Sequence, residues 1–135
     1  MNDIVTTELA DSGVLTVCLN RPEVLNSLNR PIVERLTEVL IGADKDDGVR
    51  AIIVTGEGRG FCAGADLANG QWPSNEGWSG GDVTANAMET GYNPLVRALV
   101  HNSKPVVTAV NGVAAGGGVG IALAGDIVIA GESAK

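Results

Sequence analysis

Apolar residues recur along this chain with two spacings, and the order in which the spacings alternate sets out the elements. From Ile4 to Leu9 and from Val14 to Leu19 they recur at strand spacing, with turn residues Asp11, Ser12 and Gly13 between. The pattern predicts two strands. Ile32, Val33, Leu36, Val39, Leu40 and Ala43 then fall at helical spacing and predict a helix over 30–45. Asn29 is suited to cap its start, Pro31 fits its first turn, and Asp44 to Gly48 form a polar exit. A strand at 50–55 follows, then a glycine-rich loop from Gly56 to Leu67. A helix is expected from Val83 to about Asn102, bent at Pro94, with Leu95, Val96, Leu99 and Val100 facing inward. A strand at 106–110, a helix at 116–124 and a strand at 127–130 complete the series. Strand and helix alternate, so the fold class is α/β.

One stretch breaks the pattern. Residues 69–82 hold Pro73, Trp72, Trp78 and several Gly, Ser and Asn residues without a period. They read either as a mobile surface loop or as a lid, with Trp72 or Trp78 giving an apolar wall to a pocket.

Two junctions carry the chemistry. Val106, Val107, Ala109 and Val110 run through Asn111-Gly112 toward Gly116, Gly117 and Gly118. Each glycine in a helix costs about 0.5–1 kcal/mol relative to Ala, so the triplet makes sense where something approaches the backbone closely. Backbone N–H groups that open a helix have no internal partner and suit an oxygen that gains negative charge. The strand at 50–55 runs into a second small-residue loop. Together the two loops could hold one oxyanion between two donors.

Composition narrows the class. The chain has 135 residues, 44% of them hydrophobic, but few aromatics, so its core is built from Val, Leu, Ile and Ala. A net charge of −7 without a Lys/Arg cluster argues against nucleic acid as a partner. No stretch approaches the roughly 20 apolar residues of a membrane span, and the opening residues show no signal-peptide pattern. Cys18 and Cys62 read as reduced thiols of a cytoplasmic protein. No Cys/His spacing suggests a metal, and His101, the one histidine, falls in the last turn of a predicted helix. No window fits G-x-G-x-x-G and no P-loop occurs, which sets aside a nucleotide-binding domain.

The motifs Gly60-Phe-Cys-Ala-Gly-Ala-Asp-Leu67 and Asn111-Gly-Val-Ala-Ala-Gly-Gly-Gly118 together resemble the enoyl-CoA hydratase/isomerase (crotonase) superfamily. Leu19-Asn-Arg-Pro-Glu-Val-Leu-Asn-Ser-Leu28 resembles its opening signature, and the likeness runs in order through the chain. Residues 92–97 and 125–130 most resemble the isomerases acting on a ring-epoxide phenylacetyl-CoA thioester. The resemblance implies repeated strand-strand-helix units, with residues 1–135 as the N-terminal part of one acyl-CoA-binding domain, cut before a C-terminal helical part. It implies that the N–H groups of Ala65 and Gly117 hold the thioester oxygen and stabilise an enolate. It also implies CoA contacts at Val24, Leu25, Ala63, Gly64, Asp66 and Leu67. Coenzyme A would be part of the substrate, with no separate cofactor, and the complete protein is expected to be a homotrimer or hexamer.

Two departures bear on activity. Family hydratases carry a glutamate three residues after the middle glycine, where this chain has Gly120. The other acid/base position of the family lies beyond the segment that resembles residues 131–135. Isomerase is therefore favoured over hydratase, the chain is expected to be inert by itself, and a non-catalytic acyl-CoA-binding or interaction module is the alternative. Asp66 is read as capping the turn after its loop, Asp126 as structural, and Glu89 as a group that could reach the pocket. The helix at 116–124, apolar nearly all round, is expected to be buried on all sides once covered and to promote self-association while uncovered.

Overall fold

The computed structural model describes residues 3–135. Met1 and Asn2, with which the domain read from the sequence begins, lie outside the described residues. Strands β1 (Val5–Leu9) and β2 (Val14–Leu19) form an antiparallel hairpin. Helix α1 (Arg30–Lys45) crosses to β3 (Ala51–Gly56), which lies parallel to β2. After β4 (Gly60–Cys62) come helices α2 (Gly80–Ala87) and α3 (Asn93–Val100), then β5 (Val106–Val110). β6 (Val113–Ala114), α4 (Gly117–Leu123) and β7 (Ile127–Ala130) close the chain. The main sheet has the order β1-β2-β3-β5-β7, parallel beyond the hairpin.

The register places alternate residues of neighbouring strands in rows. Leu15 pairs with Ile52 and Ile52 with Val106; Val17 pairs with Val54 and Val54 with Thr108. All six are buried, because period-two alternation puts them on one sheet face. The core holds Ile32, Val33, Leu36, Leu40 and Ala43, the inward stripe of α1. Asn29 caps this helix as expected, its side chain accepting from the Ile32 N–H (3.2 Å). Thr108 is the polar member of its row, and its hydroxyl donates to the Ala122 carbonyl (2.6 Å), so no buried polar group is left unpaired there.

The structure corrects the sequence reading at three places. The second helical region starts at Gly80 rather than Val83, because Ser79 and Asp82 form a capping box: Ser79 N–H donates to Asp82 Oδ2 (2.7 Å) and Asp82 N–H to Ser79 Oγ (3.2 Å). It is then interrupted by a π-turn over Met88–Tyr92 rather than bent at Pro94, the Asn93 N–H reaching back to the Met88 carbonyl. Pro94 has no N–H to give an α-helical bond, so a widened turn ahead of it keeps the flanking carbonyls near donors. On α3 only Leu95 and Leu99 are buried, whereas Val96 and Val100 are exposed.

A fourth difference matters more. Both glycine loops contain a short strand, and β4 and β6 pair in parallel as a second, two-stranded sheet. Parallel strands run the same way, so the segments that follow them, 63–67 and 115–118, emerge side by side.

Candidate functional site

Ala65 is fixed by its peptide plane. Leu28 and Ala65 form a parallel bridge in which Leu28 N–H donates to the Gly64 carbonyl (2.7 Å) and Asp66 N–H to the Leu28 carbonyl (2.9 Å). In a parallel bridge both bonds belong to the residues flanking the central one. A trans peptide sets its C=O and N–H on opposite sides. With the Gly64 carbonyl turned to Leu28, the Ala65 N–H therefore points away from it. Two features oppose a side chain at Gly64: its φ is +92°, and a Cβ would lie 2.7 Å from the Ala115 carbonyl oxygen and 3.4 Å from the Gly117 nitrogen.

Gly117 opens α4. Gly118 N–H is taken by the Ala115 carbonyl (2.8 Å) and Val119 N–H by the Gly116 carbonyl (3.1 Å). Among the described residues, neither the Gly117 N–H nor the Ala65 N–H donates to a protein acceptor. Gly118 has a packing reason: a Cβ there would fall on the Cys62 carbonyl oxygen. Of the triplet, the middle residue, Gly117, lines a cavity.

That cavity, of about 200 Å³, is lined by Ala65 and Gly117 together with Met88, Tyr92, Leu95, Val96, Gly120 and Ile121. A neighbouring cavity of about 390 Å³ shares Ala65, Met88 and Tyr92 and adds Asp66, Leu67, Trp72, Val83 and Ala87 among others. The two form one apolar crevice under the π-turn. Trp72 supplies its outer wall. The ring stands 5.2 Å from that of Tyr92 and fills the space a side chain at Gly91 would need. Of the two tryptophans considered as walls, Trp72 alone lines the crevice.

The other residues named from sequence divide. Gly64 lies within the donor loop, and Leu25 braces that loop, its carbonyl accepting from Ala63 N–H (2.9 Å). Val24 ends a short 3-10 turn, Pro22–Val24, and is exposed. Leu67 is 98% exposed at the crevice mouth. Val24, Leu25 and Ala63 line neither cavity. Asp66 caps its turn as expected, Oδ1 accepting from Ala68 N–H (3.1 Å) and Asn69 N–H (2.8 Å). The Asn69 N–H, and after it Arg21, hold the Asp66 carboxyl below the usual carboxylate range against the opposing effect of burial. It stays ionised at neutral pH and is a poor proton donor. Asp126 is structural, its carboxylate accepting from Val106 N–H (2.8 Å). Glu89 is exposed on the π-turn and lines neither cavity. His101 caps the end of α3, its N–H on the Arg97 carbonyl.

Sequence reasoning missed Met88, Tyr92 and Arg21. No periodicity marks a π-turn, so nothing in the sequence signalled that Met88 and Tyr92 line the cavities. Burial raises the Tyr92 hydroxyl pKa, and burial pushes the Cys62 thiol up to about 11. Cys18 is raised too, by burial and by Glu57. Both thiols are free. The arrangement offers two unpaired N–H donors on an apolar surface, with no carboxylate lining the smaller cavity.

A family model for enoyl-CoA hydratase/isomerase matches residues 10–135. The 1,2-epoxyphenylacetyl-CoA isomerase of Escherichia coli (strain K12) is 48% identical over 131 residues, covering 93% of this chain and 47% of that protein. The solved structure of an enoyl-CoA hydratase from Bacillus anthracis superposes with a TM-score of 0.84 at 32% identity, over 98% of this chain and 49% of the other. An enoyl-CoA hydratase from Mycobacterium avium subsp. paratuberculosis K-10 gives 0.80 at 35% identity, over 99% and 49%. The chain thus spans about half the length of the relatives it matches. Among the described residues, no helix is long and apolar enough to cross a membrane.

Proposed function

The chain belongs to the enoyl-CoA hydratase/isomerase family, and on that premise we propose that it is the oxyanion-binding part of an acyl-CoA isomerase. One observation carries the reading: the unpaired N–H groups of Ala65 and Gly117 belong to residues that line one apolar cavity. A thioester carbonyl in that cavity takes both bonds. Loss of a proton alpha to the thioester then moves charge onto the oxygen, where the donors are already oriented. Removal of one such donor typically costs roughly 10²–10³ in rate. The CoA portion runs along the main chain of Val24, Leu25, Ala63, Gly64, Asp66 and Leu67. Coenzyme A is part of the substrate, and no further cofactor enters.

Isomerisation is favoured over hydration because Gly120 puts no side chain where water would need a carboxylate. The same observation favours a second reading, an acyl-CoA-binding module without turnover. The cytoplasm as compartment, a homotrimer or hexamer for the complete protein, and fatty-acid or related acyl-CoA metabolism as setting belong to the first reading.

A conjugated aryl-enoyl-CoA thioester tests the donors, because its absorption moves to longer wavelength as its carbonyl is polarised. The 135-residue chain should bind it with such a shift. Gly117→Pro deletes one donor and should abolish the shift while CoA affinity, read by calorimetry, persists. Binding without a shift in the unaltered chain would remove the oxyanion reading. Isomerisation of enoyl-CoA by the chain alone should stay at the buffer rate. Sustained turnover would put a base inside it, with Asp66 and Glu89 the first to examine.

A further inference from the structure

One enclosed ion pair ties the loop that carries the Ala65 N–H to the end of β2. Arg21 Nη2 lies 3.0 Å from Asp66 Oδ2, with side chains only 12% and 8% exposed. The pairs Arg30–Glu34 and Arg35–Glu38 are different in kind, lying open on the surface of α1. The other arm of the Arg21 fork, Nη1, donates to the Ser27 carbonyl (2.7 Å). Arg21 N–H donates to Asn26 Oδ1 (2.8 Å), and Asn26 Nδ2 reaches the carbonyls of Glu57 (3.0 Å) and Gly60 (2.9 Å). The segment so held contains two non-glycine residues in the left-handed region, Leu25 (φ 53°) and Asn26 (φ 57°). Such backbone persists only where its surroundings hold it.

The anchor points fall on either side of one peptide. The Gly64–Ala65 plane itself is tied to the rest of the chain by one bond, Leu28 N–H to the Gly64 carbonyl; the bridge's other bond, Asp66 N–H to the Leu28 carbonyl, belongs to the next peptide. A single-residue bridge fixes separation but leaves the peptide free to tilt, and tilt is what would swing the Ala65 N–H off its target. Arg21 adds a bond at Ser27, next to Leu28, and one at Asp66, next to Ala65. Asp66 in turn holds Ala68 and Asn69, so the turn after the donor moves with it.

We propose that Arg21 and Asp66 are positioning residues that set the tilt of the Gly64–Ala65 peptide and so aim the Ala65 N–H at the substrate carbonyl. The role rests on the oxyanion reading of Ala65. It needs the planar fork of arginine: a lysine keeps the charge but presents a point donor that does not span Ser27 and Asp66 with the same geometry. Asp66→Asn keeps an oxygen for Ala68 and Asn69 and removes the pair with Arg21.

The test measures the shift of the aryl-enoyl-CoA chromophore and its affinity together. Arg21→Lys and Asp66→Asn should cut the shift by about half or more while affinity stays within about threefold, because a mis-aimed donor costs carbonyl polarisation more than CoA binding. Arg21→Ala should lose the shift and regain part of it with added guanidinium ion at a non-denaturing concentration. Arg35→Ala, on the open face of α1, should keep the full shift. A full shift in Arg21→Lys and Asp66→Asn, beside a full shift in the unaltered chain, overturns the positioning role and leaves the donors standing. Shift, affinity and melting temperature falling in proportion would show a merely structural pair and also overturn it. Binding of the probe by the unaltered chain without any shift removes the donor reading, and the positioning role with it.

Discussion

Helix α1 and the α4–β7 end of the chain both carry apolar residues that call for cover and meet different surroundings. On α1, Ile32, Val33, Leu36 and Leu40 are each 0% exposed, packed under β2 and the α3 helix. At the other end Leu123 is 69% exposed, Ile127 56% and Ile129 59%. Only one stripe of α4, with Gly118, Ile121 and Ala122, is buried, and its open side joins β7 in the apolar patch expected of this end while it is uncovered. Apolar patterning states which residues need cover; whether cover is there depends on neighbouring elements. The donor pair sits between these two regimes, with Ala65 braced from the closed side through Leu28 and Gly117 carried by the open one.

The contrast predicts its largest effect in paired truncations. Leu36→Ala leaves a cavity in an enclosed core that cannot collapse freely and should cost about 2–5 kcal/mol in urea unfolding. Ile129→Ala removes a side chain that is more than half in water and should cost far less, about 0.5 kcal/mol. Equal costs would mean that β7 is covered in solution, and a concentration-dependent transition would identify a second copy as that cover.

Next in size is an alkaline loss of stability at Cys62, which lies between the regions on β4. Burial raises its pKa to about 11 from 9.0. Above the unfolded value the unfolded chain gives up a proton that the folded chain keeps, so the unfolded state binds fewer protons and stability falls with rising pH. The contribution is whole below pH 9 and fades through about pH 11, by roughly 2–3 kcal/mol in all. Cys62→Ala should flatten that limb of the pH profile, whereas Cys18→Ala, on the half-exposed side of β2, should leave most of it.

At the junction itself Gly64→Ala should cost about 1–3 kcal/mol, since the left-handed backbone and the contact with the Ala115 carbonyl both oppose a Cβ. The loss of chromophore shift should exceed what the loss of stability accounts for, because the Gly117 nitrogen lies on the same contact.

The chain revealed these features unevenly. Helix α1, its Asn29 cap and the strands that became β2, β3 and β5 were legible because one-sided burial writes a period into the sequence. Ala65 and Gly117 were named through resemblance to a family, since backbone donors leave no side-chain signal. The β4–β6 pairing was not legible, because strands of two or three residues are too short to show alternation. Nor was the π-turn, which inserts a residue and resets the helical phase that would have flagged Met88 and Tyr92. The Ser79–Asp82 box was present as S-x-x-D inside a stretch dismissed as aperiodic. Arg21 was passed over because its partner lies 45 residues away.

The smallest effect sets two caps of the same chemistry against each other. Asn29 is buried and caps α1, whose inward stripe is fully enclosed. Ser79 is exposed and caps α2, of which only Ala87 is buried. Losing either side-chain acceptor frees one first-turn N–H, and such changes typically cost about 1 kcal/mol within a range of roughly 0.5–2. In α1 the freed group stays away from water, so Asn29→Ala should fall at the upper end and appear in the global unfolding transition. In α2 water takes the place of the hydroxyl, and the helix can fray without disturbing the sheet. Ser79→Ala should therefore leave global stability nearly unchanged while amide exchange over 80–87 speeds up by about fivefold, the exchange equivalent of about 1 kcal/mol. A comparable global loss for Ser79→Ala would show that α2 and the wall of the larger cavity fold as one cooperative unit with the closed core. In that case the crevice would be as rigid as the closed half that braces it.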